Sequence, residues 1–180
     1  NIFLTKKLVT LNYDKFIYFS TIDVYCKNTK THSENEILDL YGPSSIYSTS
    51  KLVSEAIVKQ EAKNYLILRS STPLGIYSRK NTLIRMIQNE PCEIGLSSAS
   101  TYNIINYSDI SDFIKYSIER DLQGLFNLAS SKNITLEKVA TILGKNIQFG
   151  EHYYSPGSID NTKISSIFPV FKKSSEDNLL

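Results

Sequence analysis

Two runs in the first half of the chain are almost continuously apolar: Phe16-Ile17-Tyr18-Phe19-Ser20 and Tyr65-Leu66-Ile67-Leu68-Arg69. A strand covered by helices on both faces buries both sides of its pleat, so continuous rather than alternating runs predict parallel strands. Between them, Ser45 to Lys63 carries Ile46, Val53, Ala56 and Ile57 at helical spacing. Strand, helix and strand then make one crossover unit of a parallel sheet. Further along, Ile110, Phe113, Ile114 and Ile118 predict a helix capped by Ser108 or Asp109, and Gly124–Leu128 predicts another strand. Leu136, Val139, Ala140 and Leu143 give a last helix, capped by Thr135 and stopped by Gly144. Beyond Phe149 the pattern weakens into Ser, Gly, Pro and Asn. The expected class is α/β.

Composition narrows the function classes. The 180 residues suffice for a real core, and a net charge of +2 with interspersed charges shows no clustered basic patch. No nucleic-acid partner is expected. Cys26 and Cys92 lack metal or redox spacing and suit a reducing compartment, so no metal is expected. No apolar run approaches the roughly 18 residues that span a bilayer, and no signal peptide is visible. The expectation is a cytoplasmic protein without a membrane partner. His32 and His152 have no partner pattern and read as surface residues.

Open parallel sheets bind ligands outside the carboxyl ends of their strands. Ser20-Thr21 ends the first strand and Ser70-Ser71-Thr72-Pro73 follows the second, so both face one crevice. Tyr47 and Lys51, four apart, share a helix face at its edge. A phenol with a pKa near 10 needs about 4 kcal/mol of phenolate stabilisation to act as a base near pH 7. A neighbouring ammonium supplies part of it, and the Thr21 hydroxyl is placed to bond the substrate oxygen as the proton moves. Such a group is a proton relay beside a hydride carrier. On its own, Tyr-x-x-x-Lys is a weak signal in a chain with 12 Tyr.

The surrounding residues make it specific. Phe16 to Tyr25 (FIYFSTIDVY) and Tyr41 to Glu55 (YGPSSIYSTSKLVSE) resemble the strand and the Pro-x-Ser-x-Tyr-x-x-Ser-Lys-x-x-x-Glu run of the extended short-chain dehydrogenase/reductases. These are the nucleotide-sugar epimerases, dehydratases and reductases. Leu68 to Gly75, Asn106 to Ile110 and Gly124 to Ala129 are similar to three further segments of that family, in the same order. The resemblance implies a partial Rossmann-like parallel sheet with a small C-terminal substrate-binding lobe. Residues 1–75 would form the later part of a dinucleotide-binding domain, and 76–180 the lobe with returning Rossmann segments.

It further implies an NAD(P)-dependent epimerase or 4-keto reductase acting on a sugar, nucleotide-linked, as a homodimer. Thr21, Tyr47 and Lys51 would be catalytic. Tyr47, Lys51, Ser70 and Pro73 would contact NAD or NADP, and Thr21, Asp23, Thr72, Asn81 and Tyr102 would face the substrate. The homodimer would pack the Tyr47 helix against its counterpart, with Leu52, Ile57 and Val58 on its outer face.

Two departures matter. Dehydratases carry Asp-Glu after the Ser-Thr pair, whereas this chain has Ile22-Asp23. Ile22 has no proton to donate, which disfavours a dehydratase. Asp23 reads equally as a catalytic acid or as a solvated or hydrogen-bonded acid in the loop after the strand. The family's diphosphate-holding Arg is replaced by Tyr102, leaving Arg79 or Arg85 as substitutes or as ordinary solvated residues. Asp109 is best explained as a helix cap. The rival from another class is a non-catalytic relative that senses or binds a dinucleotide.

The Gly-x-x-Gly-x-x-Gly turn that receives a pyrophosphate does not occur in this sequence. The resemblance therefore implies two or three βα repeats before Asn1 in an intact enzyme. The 180-residue chain by itself is accordingly expected to show no saturable NAD(H) or NADP(H) binding at micromolar ligand. Calorimetry checks this directly, and micromolar affinity would contradict it.

Overall fold

The computed structural model describes residues 1–28, 30–43, 45–88 and 92–180; Ser44, inside the Tyr41–Glu55 run, lies outside them. Helix α1 (Ile2–Leu8) leads into β1 (Phe16–Thr21), and a short strand β2 (Thr31–His32) precedes α2 (Ile46–Glu61). There follow β3 (Tyr65–Ser70), β4 (Thr72–Leu74), α3 (Thr82–Gln88) and β5 (Cys92–Leu96). Next come β6 (Thr101–Tyr102), β7 (Ile104–Asn106), α4 (Tyr107–Glu119), β8 (Gly124–Leu128) and β9 (Ile134–Thr135). The chain closes with α5 (Leu136–Leu143), β10 (Ile147–His152), β11 (Ser158–Ile159) and α6 (Thr162–Ile167).

The main sheet is parallel, in the order β1-β3-β8. Its pleat sends Leu66, Leu68, Phe126 and Leu128 to one side, against Ile110 and Phe113 of α4, Ile164 of α6 and Phe171. Phe113 is central there, with its ring edge-on to Phe126, Phe168 and Phe171. Tyr18, Ile67 and Leu125 point the other way, onto Val58 of α2 and Val9. A separate core joins Leu83 and Met86 of α3, Ile94 of β5, Leu136 and Val139 of α5 and Ile147 of β10. Register places Thr21 opposite Ser70 and Ser70 opposite Leu128, so the three strands end together.

Local signals explain several boundaries. Ser45 caps α2 by accepting from Ser48 N at 3.1 Å, and Ser48 Oγ accepts from Ser45 N at 3.2 Å, a reciprocal cap. Thr135 accepts from Lys138 N at 3.2 Å, and Gly144 ends α5 in the left-handed region at φ 64°.

A buried ion pair fixes how α2 lies. Arg69 Nε and Nη2 donate to the two Glu55 oxygens at 3.0 and 2.7 Å, and both side chains are buried. Ser20 Oγ donates to Glu55 Oε1 at 2.5 Å, Arg69 Nη1 to Tyr25 Oη at 2.9 Å, and Tyr25 Oη to Asn127 Oδ1 at 2.7 Å. The network thereby ties β1, α2, β3 and β8 together.

That pair overrides the hydrophobic spacing of α2. Its buried residues are Ser48, Ser54, Glu55 and Val58, while Ile46 and Ala56, expected on the apolar face, are exposed. Val58, expected on the outer face, is in the core, and Ile57 and Leu52 pack against buried clusters. Turning Glu55 onto Arg69 rotates the helix away from its apolar stripe, because an unpaired buried guanidinium costs more than a few exposed methyl groups.

Three further expectations are corrected. Helix α4 starts at Tyr107, so Asp109 lies inside its first turn rather than at the cap. There its charge meets the positive helix end, and Lys173 lies 3.8 Å away. Ile118 is exposed rather than part of the packed face. His32 is fully buried, not a surface residue: its ring stacks on Tyr25 at 4.8 Å and Nδ1 lies 2.7 Å from Glu36. The pairing of β2 with β11 draws it in. His152 is exposed.

Glu55→Ala should leave Arg69 buried without its counterion, at a cost of about 3–5 kcal/mol in urea denaturation. The double change Glu55→Leu with Arg69→Met should cost clearly less than the two single losses added together.

Candidate functional site

The carboxyl ends of β1 and β3 and the first turns of α2 open onto a cavity of about 610 Å³. Thr21 enters it from β1, Tyr47 and Lys51 from α2, and Ser70, Ser71 and Pro73 from the end of β3 and from β4. Arg79 and, from α4, Tyr107 and Ser111 complete the wall. The four-residue spacing brings Tyr47 and Lys51 to one rim because α2 begins at Ile46, held there by the Ser45 cap.

Lys51 Nζ donates to the Phe19 carbonyl at 2.6 Å and sits 5.9 Å from the centre of the Tyr47 ring. Burial lowers its pKa, and the Glu55 charge partly restores it. Tyr47 is about half exposed. Burial raises its phenol above the usual range and Asp23 raises it further, while Arg79 acts in the opposite sense. The direction is the reverse of that expected from a helical ammonium. Lys51 is directed at the β1 backbone, and after burial the Asp23 carboxylate is the next cause of the rise. At neutral pH Tyr47 is a neutral phenol.

Thr21 Oγ1 accepts from Asp23 N at 3.2 Å and lies 3.4 Å from Asp23 Oδ2. Tyr154 Oη donates to Asp23 Oδ1 at 3.2 Å, and burial together with Asp23 pushes the Tyr154 phenol far above its ordinary range. Asp23 is therefore a hydrogen-bonded carboxylate in the turn after β1. The Tyr102 ring packs on Tyr154 at 5.2 Å, and burial first, then Asp23, raises its phenol.

The other residues expected to face substrate are placed differently. Asn81 caps α3, its Oδ1 accepting from Ile84 N at 3.0 Å, and Thr72 and Tyr102 do not line this cavity. Arg79 lines it, whereas Arg85 Nη2 donates to the Glu93 carbonyl. Ser71, expected at the crevice as part of the Ser70–Pro73 segment, lines the cavity with a buried hydroxyl that has no partner among the described residues. One residue beside the site escaped the sequence reading. Tyr154 lies in the weakly patterned C-terminal stretch and gave no signal.

Among the described residues no three His, Cys, Asp or Glu side chains gather as a metal site. No described helix is long and apolar enough to cross a membrane. Cys26 is half-buried and Cys92 buried, both as free thiols.

A parallel α/β sheet whose strands end at a crevice lined by Tyr, Lys and hydroxyl groups defines the class of Rossmann-like nucleotide-binding folds. Residues 4–129 match the NAD dependent epimerase/dehydratase family, and the chain belongs to that family. The fold is shared with UDP-glucuronic acid 4-epimerase from Bacillus cereus in complex with UDP-glucuronic acid and NAD. The two are 22% identical with a TM-score of 0.77, over 99% of this chain and 64% of that one. dTDP-4-dehydrorhamnose reductase from Bacillus anthracis, in complex with NADP, is 20% identical with a TM-score of 0.80, over 99% and 69%. dTDP-glucose 4,6-dehydratase from Bacillus anthracis, in complex with NAD, is 22% identical with a TM-score of 0.74, over 99% and 62%. This chain thus spans just under two thirds of the epimerase's length. Among curated protein sequences nothing matches it.

Because Asp23 is the second contributor to the raised Tyr47 phenol, Asp23→Asn should move the Tyr47 pKa down toward 10. Ring-carbon NMR of labelled tyrosine, with Tyr47→Phe to assign the resonance, checks the direction. An unchanged or higher value would contradict it.

Proposed function

We propose that the protein is an NAD(P)-dependent epimerase or 4-keto reductase acting on a nucleotide-linked sugar, with Tyr47 as acid/base. The observation that carries this is that Thr21, Tyr47, Lys51, Ser70 and Pro73 share one cavity at the strand ends of a chain in this family. Residues 1–75 then carry the catalytic side, and 76–180 the substrate lobe with the returning Rossmann segments, β8 among them.

The residues present fit the nicotinamide end of a dinucleotide. Ser71 offers a buried hydroxyl without a partner, Pro73 and Phe19 offer apolar surface, and Lys51 is anchored beside them. A nicotinamide bound there supplies hydride exchange at a sugar ring carbon and, when oxidised, a positive charge. Ketone reduction then draws on Tyr47 in the form the geometry favours, as a neutral phenol giving its proton to the nascent alkoxide. Thr21 holds the same oxygen by a hydrogen bond. In the opposite direction Tyr47 removes the hydroxyl proton, and it becomes a competent base only as positive charge accumulates around it.

Asp23, held by Tyr154, accepts a hydrogen bond from a second sugar hydroxyl. Ile22 is buried in an apolar cluster and offers no proton, which favours epimerisation or reduction over dehydration. A homodimer through the α1–α2 face is part of the same proposal. Phe3 and Leu4 of α1 and Ile46 of α2 are exposed apolar residues on neighbouring helices. Sedimentation of the full-length gene product as a strict monomer would count against it.

In the full-length gene product, Tyr47→Phe should lower turnover by about 10²–10⁴-fold and leave dinucleotide affinity near that of the parent, because only the transferable proton is lost. Steady-state kinetics with a sugar nucleotide and a dinucleotide titration measure the two quantities. Turnover close to that of the parent would remove Tyr47 from the acid/base role.

A further inference from the structure

A second cavity, of about 770 Å³, shares no lining residue with the first and has no part in the chemistry proposed for it. Two short segments border it. Tyr102 packs on Tyr154 beside Asp23, whereas its neighbours Thr101 and Asn103 line the second cavity. Likewise the Tyr154 hydroxyl reaches Asp23, while Tyr153 and Ser155 line the second cavity. Extended backbone at Thr101–Tyr102 sends successive side chains to opposite sides. The volume is in the range of about 300–1,000 Å³ usual for small-molecule sites.

The lining is rich in donors and unbalanced in charge. Lys27 and Lys132 bring two ammonium groups, no Asp or Glu lines the cavity, and neither lysine pairs with a carboxylate among the described residues. Lys27 Nζ lies 4.4 Å from the centre of the Tyr154 ring, which positions the charge without neutralising it. Ser155 Oγ accepts from Thr101 Oγ1 at 2.8 Å and from Gly157 N at 3.2 Å, leaving its own proton without an acceptor among the described residues. Asn28 Oδ1 accepts from Lys30 N at 2.9 Å, and its amide N–H groups are likewise without an acceptor there.

The floor is preorganised. Gly157, at φ 78°, lies so close to the buried His32 ring that a Cβ there would meet it at 3.3 Å, and Glu36 and Tyr25 hold that ring.

Spare donors with two unpaired positive charges select an oxyanion, and the hydroxyls of Tyr153 and Ser158 add groups that suit a polyol. We propose that this cavity is a second ligand site, distinct from the crevice, for a small polyhydroxylated oxyanion: a sugar phosphate or a sugar acid. Lys27 and Lys132 hold the anionic group, and Ser155 and Asn28 donate to its remaining oxygens. The site stands on its own lining and is independent of the acid/base role given to Tyr47.

Calorimetric titration of the 180-residue chain with glucose 6-phosphate, glucuronate and glucose tests it. Saturable binding of at least one of the two anions, and none of glucose over the same range, is expected. The tighter of the two identifies the oxyanion as phosphate or carboxylate. Lys27→Ala and Lys132→Ala, both at exposed positions, should each weaken binding about tenfold or more, with unchanged circular dichroism. Arg79→Ala, which removes one cation of the crevice, should leave it unaltered. No binding by either anion, equal binding of glucose, indifference to both lysine substitutions, or dependence on Arg79 would each overturn the proposal.

Discussion

Among the described residues Glu55 and Arg69 form the only ion pair with both partners buried, and the rest of the architecture is arranged around satisfying it. A guanidinium in the middle of a sheet is tolerable only if its donors are met in a fixed plane. Glu55 meets two of them, Tyr25 a third, and Ser20 and Asn127 extend the contacts to the neighbouring strands. Helix α2 has one rotation that permits this. That rotation carries Tyr47 and Lys51, eight and four residues before Glu55, to the end of the sheet where Thr21 lies. Geometry at the crevice is therefore set by charges that do not line it.

The same pair explains where sequence and structure part company. Strands β3 and β8 were legible because burial on both faces writes continuous apolar runs, and β1 carries such a run although Phe19 is exposed. Helix α5 was legible because Thr135 and Gly144 mark its ends with their own chemistry. The face of α2 was not, since apolar spacing carries no record that one glutamate outweighs several alkyl side chains. Likewise His32 is buried by a two-residue strand pairing from the far end of the chain, and β10, β11 and α6 depend on tertiary packing more than on periodicity. In the site, the positions of Thr21, Tyr47 and Lys51 could be read. The sign of the Tyr47 shift could not, because it arises from burial first and then from Asp23 rather than from spacing.

Tyr154 stands at the meeting of two environments. Its ring carries the Lys27 ammonium on one side and packs against Tyr102, while its hydroxyl orients Asp23 next to Thr21. A neutral phenol suits both tasks, and the depth of its burial together with Asp23 keeps it neutral across the ordinary pH range. The crevice and the second cavity thus share a structural element without sharing a charge.

The main sheet contains no hairpin: each of its strand pairings joins segments separated by a helix or more. Glu55 and Arg69 are 14 residues apart, whereas Tyr25 and Asn127, the outer link of the same network, are 102 apart. Loop closure of that second kind is slow, and its contacts reward the chain only after the intervening core has condensed. The ion pair itself thus rests on a short closure, and its sealing from water by β8 on a long one.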